Sequence, residues 1–252
     1  MLASALVYVG LVAAVAGAIG LVKPIPWLRI RTRRRALAVT AWGAASMATG
    51  FVVPVSESRV ARIDSRLDEF VPVWQFNEKH VRRIAAPPSR VYDAVKRVRA
   101  DEISFFRTLT WIRRGGRPVP ESILNAGTRD SLIDVALRGG FVSLADDAPR
   151  ELVIGTVVAA PPGTRGPLTS SVFQQAVPPG FALAAMNFRV APDGASGSLV
   201  STETRVFSSP QTLQRFAMYW RVIYPGSAII RMMWLRAIER RAVAAPEEAE
   251  WR

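Results

Sequence analysis

The chain has 252 residues, no cysteine, one histidine and a formal charge of +13. Without cysteine there is no disulfide, thiol nucleophile or cysteine metal site, and His80 alone gives a histidine cage or triad little to build on. The sequence pI near 11.3 raises nucleic acid as a partner. Lys23, Lys79 and Lys96 are the only lysines, however, and the arginines after Val55 are interleaved with all twenty acids rather than gathered into a stripe. Nucleic acid is therefore set aside, and attraction to anionic lipid headgroups is the better reading of the charge.

Met1–Val22 carries no charged side chain, and Ala36–Val55 repeats that pattern. At about 1.5 Å rise per residue, each is long enough as a helix to cross a hydrocarbon core of about 30 Å. Between them Lys23, Arg29, Arg31, Arg33, Arg34 and Arg35 form a basic linker with no acid. Residues 1–55 thus read as a transmembrane helical hairpin, with membrane lipids as partners. A cleaved signal peptide would start with basic residues and end at a small-residue site, but here Lys-Pro-Ile-Pro-Trp follows the apolar run. A hairpin buried in a soluble core would carry a polar face. Gly10, Ala14, Gly17 and Ala18, facing Gly43, Ala44, Ala45 and Ser46, would let the two helices approach closely. The basic linker marks the cytoplasmic side, so the chain from Ser56 onward is expected outside the cytoplasm, held to the cell membrane.

Val60, Ile63, Leu67 and Phe70 recur at helical spacing, which predicts a connecting helix over 56–73. Trp74–Ala85 alternates as a strand, with Phe76, Glu78, His80, Arg82 and Ile84 on one face. Pro87 and Pro88 open a helix whose apolar face is Val91, Ala94, Val95 and Val98. Asp101–Arg113 reads as a second helix with Asp101 as N-cap, and Ile103, Phe106, Leu109 and Ile112 or Trp111 turned inward. A short helix over 130–139 follows a Gly/Pro-bearing loop that lacks the lysine and hydroxyl of a phosphate loop. Phe141–Ala145 and Glu151–Ala159 form one hairpin; after the proline-rich 161–179, Phe181–Val190 and Ser198–Phe207 form another. Pro210–Val243 is helical and apolar, with an interruption expected at Pro225. Arg221 and Arg231 argue against a third span there, and 244–252 is a tail.

This order resembles the START-like (SRPBCC, helix-grip) superfamily, which includes lipid-transfer domains and polyketide cyclases. The stretches that carry the resemblance are His80-Val-Arg-Arg-Ile-Ala-Ala-Pro-Pro-Ser-Arg-Val-Tyr-Asp-Ala-Val, Ser201-Thr-Glu-Thr-Arg-Val and the closing aromatic helix. Over residues 74–243 it implies an α+β helix-grip fold, a curved antiparallel sheet around a long C-terminal helix, with an apolar cavity for a hydrophobic small molecule or lipid. The implied lining is Met186, Phe188, Val190, Thr202 and Thr204 from the strands, and Phe216, Tyr219, Trp220, Ile223 and Met233 from the helix. The alternative is that these side chains fill a solid core.

No catalytic residue stands out. Glu203 is expected to pair across the sheet with an arginine, and His80 to be a surface or hydrogen-bonded histidine. No metal or cofactor is implied. The leading expectation is a membrane-anchored carrier or sensor of an apolar ligand. An assembly module with a filled core comes next, and a cyclase-like enzyme using Glu203, His80 or Tyr219 comes third.

Overall fold

The computed structural model describes residues 2–164 and 168–244; the tail beyond Ala244 and part of the proline-rich connection lie outside them. Two compact units emerge, Met1–Ser56 with Gln214–Pro225, and Glu57–Leu213 with Gly226–Arg252.

In the first unit, α1 (Leu2–Val22) and α2 (Arg33–Val52) pack against each other around the short turn Pro26–Leu28. Gly10, Gly17, Gly43 and Gly50 are buried at the contact, while Ala18, Ala44 and Ala45 face away. A Cβ on Gly43 would lie 2.4 Å from the Ala14 nitrogen, and one on Gly10 2.6 Å from the Gly43 oxygen. Backbone cannot yield as a flexible side chain can. Gly43→Leu should therefore force the helices apart at a cost of about 1–3 kcal/mol or more, read as a lower thermal midpoint of helical circular dichroism in detergent. An unchanged midpoint would mean that the helices do not meet there.

α1 is the one helix, among the described residues, that is long and apolar enough to cross a membrane. The second expected span falls short because α2 opens on Arg33, Arg34 and Arg35 and is diluted by Thr40, Gly43, Ser46 and Thr49. The third element is part of α7 (Pro210–Val243), which runs through Pro225 where an interruption was expected. The proline forfeits one backbone bond and strains one turn, about 3 kcal/mol, and the packing of α7 on both sides of it outweighs that loss. Arg221 is 4% exposed and donates to the Phe51 and Val53 carbonyls. Those groups at the end of α2 have no helical N–H partner, and the guanidinium also meets the negative end of the helix dipole. Tyr8 donates to the Val222 carbonyl, and Phe216, Tyr219, Trp220 and Tyr224 stack along the same stretch of α7.

The second unit is α+β. Strands β1 (Ser58–Arg59) and β2 (Val73–Trp74) form a small ladder around α3 (Arg66–Phe70). The helix expected over 56–73 is thus reduced to five residues, because Ser65 and Asp68 close a capping box that fixes its start and the chain is extended on either side. β3 (Phe76–Ile84), β4 (Phe141–Asp147), β5 (Glu151–Ala159), β6 (Ala182–Asp193) and β7 (Gly197–Ser208) make one antiparallel sheet in the order β3-β7-β6-β5-β4. α4 (Pro88–Arg97) starts on its proline, and α6 (Leu132–Arg138) is capped by Ser131.

The expected helix 101–113 is split. A 3-10 turn at Ala100–Glu102 and α5 (Phe106–Arg113) are separated by Phe105 at φ 64°. Asp101 pairs with Arg99 rather than capping, and Glu102 accepts from the Arg99 N–H and pairs with Arg241 at 2.8 Å. Ile103 and Phe106 are buried, but Trp111 and Ile112 are 56% and 59% exposed, because the split turns that face outward.

The sheet buries both faces. On one, Met186, Phe188, Val190 and Val200 pack with Val91 and Val95 of α4 and Trp234 and Ile238 of α7. On the other, Leu183 and Ala185 pack with Leu67, Phe70 and Phe173.

Candidate functional site

The side of the sheet that α7 covers is built in rows. Glu78, Thr204 and Met186 lie abreast on β3, β7 and β6; His80, Thr202 and Phe188 form the next row, and Arg82, Val200 and Val190 the third. Period-two alternation puts all nine on one face, and abreast neighbours stand about 5 Å apart. Across from them α7 presents Ser227, Arg231, Trp234 and Ile238 at helical spacing.

Polar groups are concentrated in this otherwise apolar layer. Glu78 is 2% exposed; its Oε1 lies 2.9 Å from His80 Nε2, and its Oε2 accepts from Ser227 Oγ at 2.7 Å. Glu78 thereby holds both the His80 ring and the Ser227 hydroxyl. Arg82 Nε donates to Glu239 at 2.6 Å and closes one end of the layer.

Arg231 lies against Met186, and its one hydrogen bond among the described residues is to the thioether sulfur, a weak acceptor for a group with five N–H donors. Burial pushes its guanidinium down to about 10; Glu78 pulls the other way and Arg113 adds to the depression. It therefore stays cationic at neutral pH. Among the described residues, Thr202 Oγ1, Thr204 Oγ1 and Trp234 Nε1 are buried with no hydrogen-bond partner. Each such orphan costs about 1–3 kcal/mol; Thr202 and Thr204 stand in adjacent rows of the sheet and Trp234 on the helix that covers them, so the unpaired polar atoms are concentrated in one layer. Phe188 and Trp234 meet edge-on at 4.8 Å in the same layer.

The ten residues expected to line a cavity fall into two groups. Met186, Phe188, Val190, Thr202, Thr204 and Met233 belong to the second unit; the first five share the sheet face described, and Met233 packs against its core. Phe216, Tyr219, Trp220 and Ile223 belong to the helical unit. A surface pocket of about 350 Å³ lies elsewhere in the second unit, lined by Phe106, Arg107, Trp111, Arg114 and Asn125 among others, and none of the ten borders it.

Glu203 points to the opposite face of the sheet, so it is no acid for this site. It is 7% exposed and accepts from Arg205 Nε at 2.6 Å and Asn77 Nδ2 at 2.9 Å. Arg205 continues to Asp68 at 2.7 Å and the Val71 carbonyl at 3.1 Å, and stacks 4.0 Å from the Trp74 ring centre. Asn187 accepts from the Glu203 N–H and donates to Glu151 at 2.6 Å, while Glu151 receives the Arg66 and Leu67 N–H groups at the start of α3. This buried network fastens α3 to the back of the sheet. Tyr219, a further polar group expected of a cyclase-like enzyme, is 41% exposed in the helical unit.

Burial alone would raise the Asp68 carboxyl, but the Asp64 N–H, Arg205 and Ser65 outweigh it and hold it below the usual range. Glu102 follows the same balance through Arg241 and Arg99. Lys96 and Tyr92 lower Asp146. Depressed carboxyls contribute stability above the unfolded-state range that is lost as pH falls, so the thermal midpoint should drop as pH goes below about 4. Asp68→Asn should lower the midpoint at neutral pH and flatten that acid decline; an equally steep decline would locate the acid sensitivity elsewhere. Burial and the adjacent Asp146 raise Tyr92 far above its ordinary value, which adds a loss of stability at strongly alkaline pH.

Sequence reading passed over Glu78, Ser227 and Arg231. Alternation along 76–84 puts Glu78 beside His80. Only the packing of α7 shows that this face is inside.

No family model matches the chain, and no curated protein matches it. Among solved structures, protein MLL2253 from Mesorhizobium loti is 15% identical with a TM-score of 0.32, over 66% of this chain and 96% of that one. CalU16 from Micromonospora echinospora is 17% identical with a TM-score of 0.27, over 75% and 92%. The Zhui aromatase/cyclase from Streptomyces sp. R1128 is 13% identical with a TM-score of 0.26, over 68% and 98%. Likenesses this low decide neither family nor activity; the α+β architecture rests on the strand order and register above.

Proposed function

We propose that the chain is a membrane-tethered START-like binding protein, with the second unit holding a hydrophobic small molecule or lipid between α7 and the face of β3, β7 and β6. The observation that carries this reading is the set of orphaned polar atoms, Thr202 Oγ1, Thr204 Oγ1 and Trp234 Nε1, inside an apolar layer. A filled core built for stability alone has no use for them. The tether is α1 with α2. Val9, Leu11, Val12, Val15 and Ile19 of α1 stay exposed away from the helix contact, as lipid-facing side chains would be. The basic linker between the helices favours a cytoplasmic loop and a binding unit on the other side of the membrane.

The test is native mass spectrometry of the full chain released from detergent, followed by solvent extraction. A bound apolar molecule at one per chain is expected, and its mass would identify it. A chain that emerges empty, and stays empty after incubation with lipid extract, would sink the proposal and favour an assembly module with a filled core.

The Glu78–His80 pair supports a second reading, an acid–base enzyme acting on the same ligand. The ligand should then be converted by the native chain and left intact by His80→Gln, as followed by mass spectrometry of the extract. Equal conversion by both would remove it.

A further inference from the structure

We infer that the ligand of this site carries a carboxylate at one end of an apolar body, received by Arg231 beside Thr204 with the Trp234 N–H adjacent. The inference rests on the binding reading above and specifies the ligand it takes. Arg231 is cationic, lies against Met186 of β6 and 5.6 Å from the centre of the Trp234 ring, and among the described residues has only the Met186 sulfur as hydrogen-bond acceptor. A guanidinium in such a place is satisfied by a planar oxyanion, which accepts two parallel N–H bonds.

Trp234 Nε1, one helical turn further along α7, can only donate, and its partner must therefore be an acceptor. The Thr204 hydroxyl lies abreast of Met186 and the Thr202 hydroxyl abreast of Phe188, and both can turn to donate. Glu78 does not already fill the role. Its two oxygens are taken by His80 and Ser227, and its charge acts on Arg231 without an ion-pair contact among the described residues. The donors thus outnumber the acceptors on this face, the imbalance that an anionic head corrects. Phe188 and Trp234 bound the apolar remainder of the ligand.

Native mass spectrometry of the detergent-solubilised full chain, incubated with equal amounts of dodecanoate, dodecyl phosphate and dodecanol, tests this. The native chain should favour dodecanoate over dodecanol by about tenfold or more, the range of one charge-assisted hydrogen bond. Arg231→Met should bind dodecanol as before and lose the preference. Arg231→Lys, which keeps the charge without the fork, should retain part of it. Equal binding of dodecanoate and dodecanol by the native chain, or a preference that survives Arg231→Met, would overturn the anionic head while leaving the apolar site standing. A preference for dodecyl phosphate would overturn the carboxylate in favour of a phosphate head. If none of the three binds, the binding reading itself fails, and this inference with it.

Discussion

Arg205→Met is expected to destabilise the second unit by about 3–5 kcal/mol, the cost of removing one partner from a buried ion pair. Arg205 is 6% exposed and joins Glu203 at 2.6 Å to Asp68 at 2.7 Å, so its loss takes the ion-pair partner from Asp68 and leaves Glu203 with the exposed Lys79 at 3.4 Å. It also removes the donor to the Val71 carbonyl and frees the ring of Trp74. Urea denaturation of the detergent-solubilised full chain, followed by tryptophan fluorescence, measures the change. Arg83→Met is the control, because its pair with Asp193 is exposed and worth about 0–1 kcal/mol. If the two variants lose the same amount, the network is not buried as described. Replacing Asp68, Glu203 and Arg205 together by apolar residues should recover much of the loss. The attraction within such a cluster is largely offset by the cost of taking its charges out of water.

Trp234→Ala should cost about 3–5 kcal/mol, as emptying the site of a fully buried indole does. The side chain is 1% exposed and packs edge-on to Phe188 at 4.8 Å. Trp234→Phe separates its two roles. It keeps most of the apolar contact and deletes an N–H that has no partner among the described residues, so it should cost far less stability than alanine. The same variant should weaken dodecanoate binding, since it removes a donor from the site. A phenylalanine variant as unstable as the alanine one would mean that the indole N–H is satisfied within the protein.

Much of the architecture was legible in local patterns. Alternation at period two located β3 and both hairpins, and Pro88 and Ser131 mark helix starts for reasons that lie within a turn of sequence. The uncharged run of α1 and the small residues that bring it against α2 are likewise local in origin. Failures came where distant residues decide the outcome. Val60, Ile63, Leu67 and Phe70 have helical spacing, yet only Arg66–Phe70 is helical, because Ser65 and Asp68 fix that start and Glu151, from a strand 85 positions on, receives its first N–H. Pro225 marked a break by its own chemistry, but the contacts made by α7 on either side of it carry the helix through.

The same division runs through the site. Strand periodicity determined that Met186, Phe188, Thr202 and Thr204 share a face, and that Glu203 looks the other way from Thr202. It could not determine that Glu78 would be the buried partner of His80, because a charged residue on an alternating strand is more often solvated. Nor could it separate Phe216, Tyr219, Trp220 and Ile223 from Met233, since all five lie on one apolar helix. Tertiary structure assigned the first four to the helical unit, and set Arg231 and Trp234 over the sheet. Sequence periodicity fixes which side chains share a face. Which faces meet, and so which polar atoms are cut off from water, depends on contacts between residues far apart in the chain.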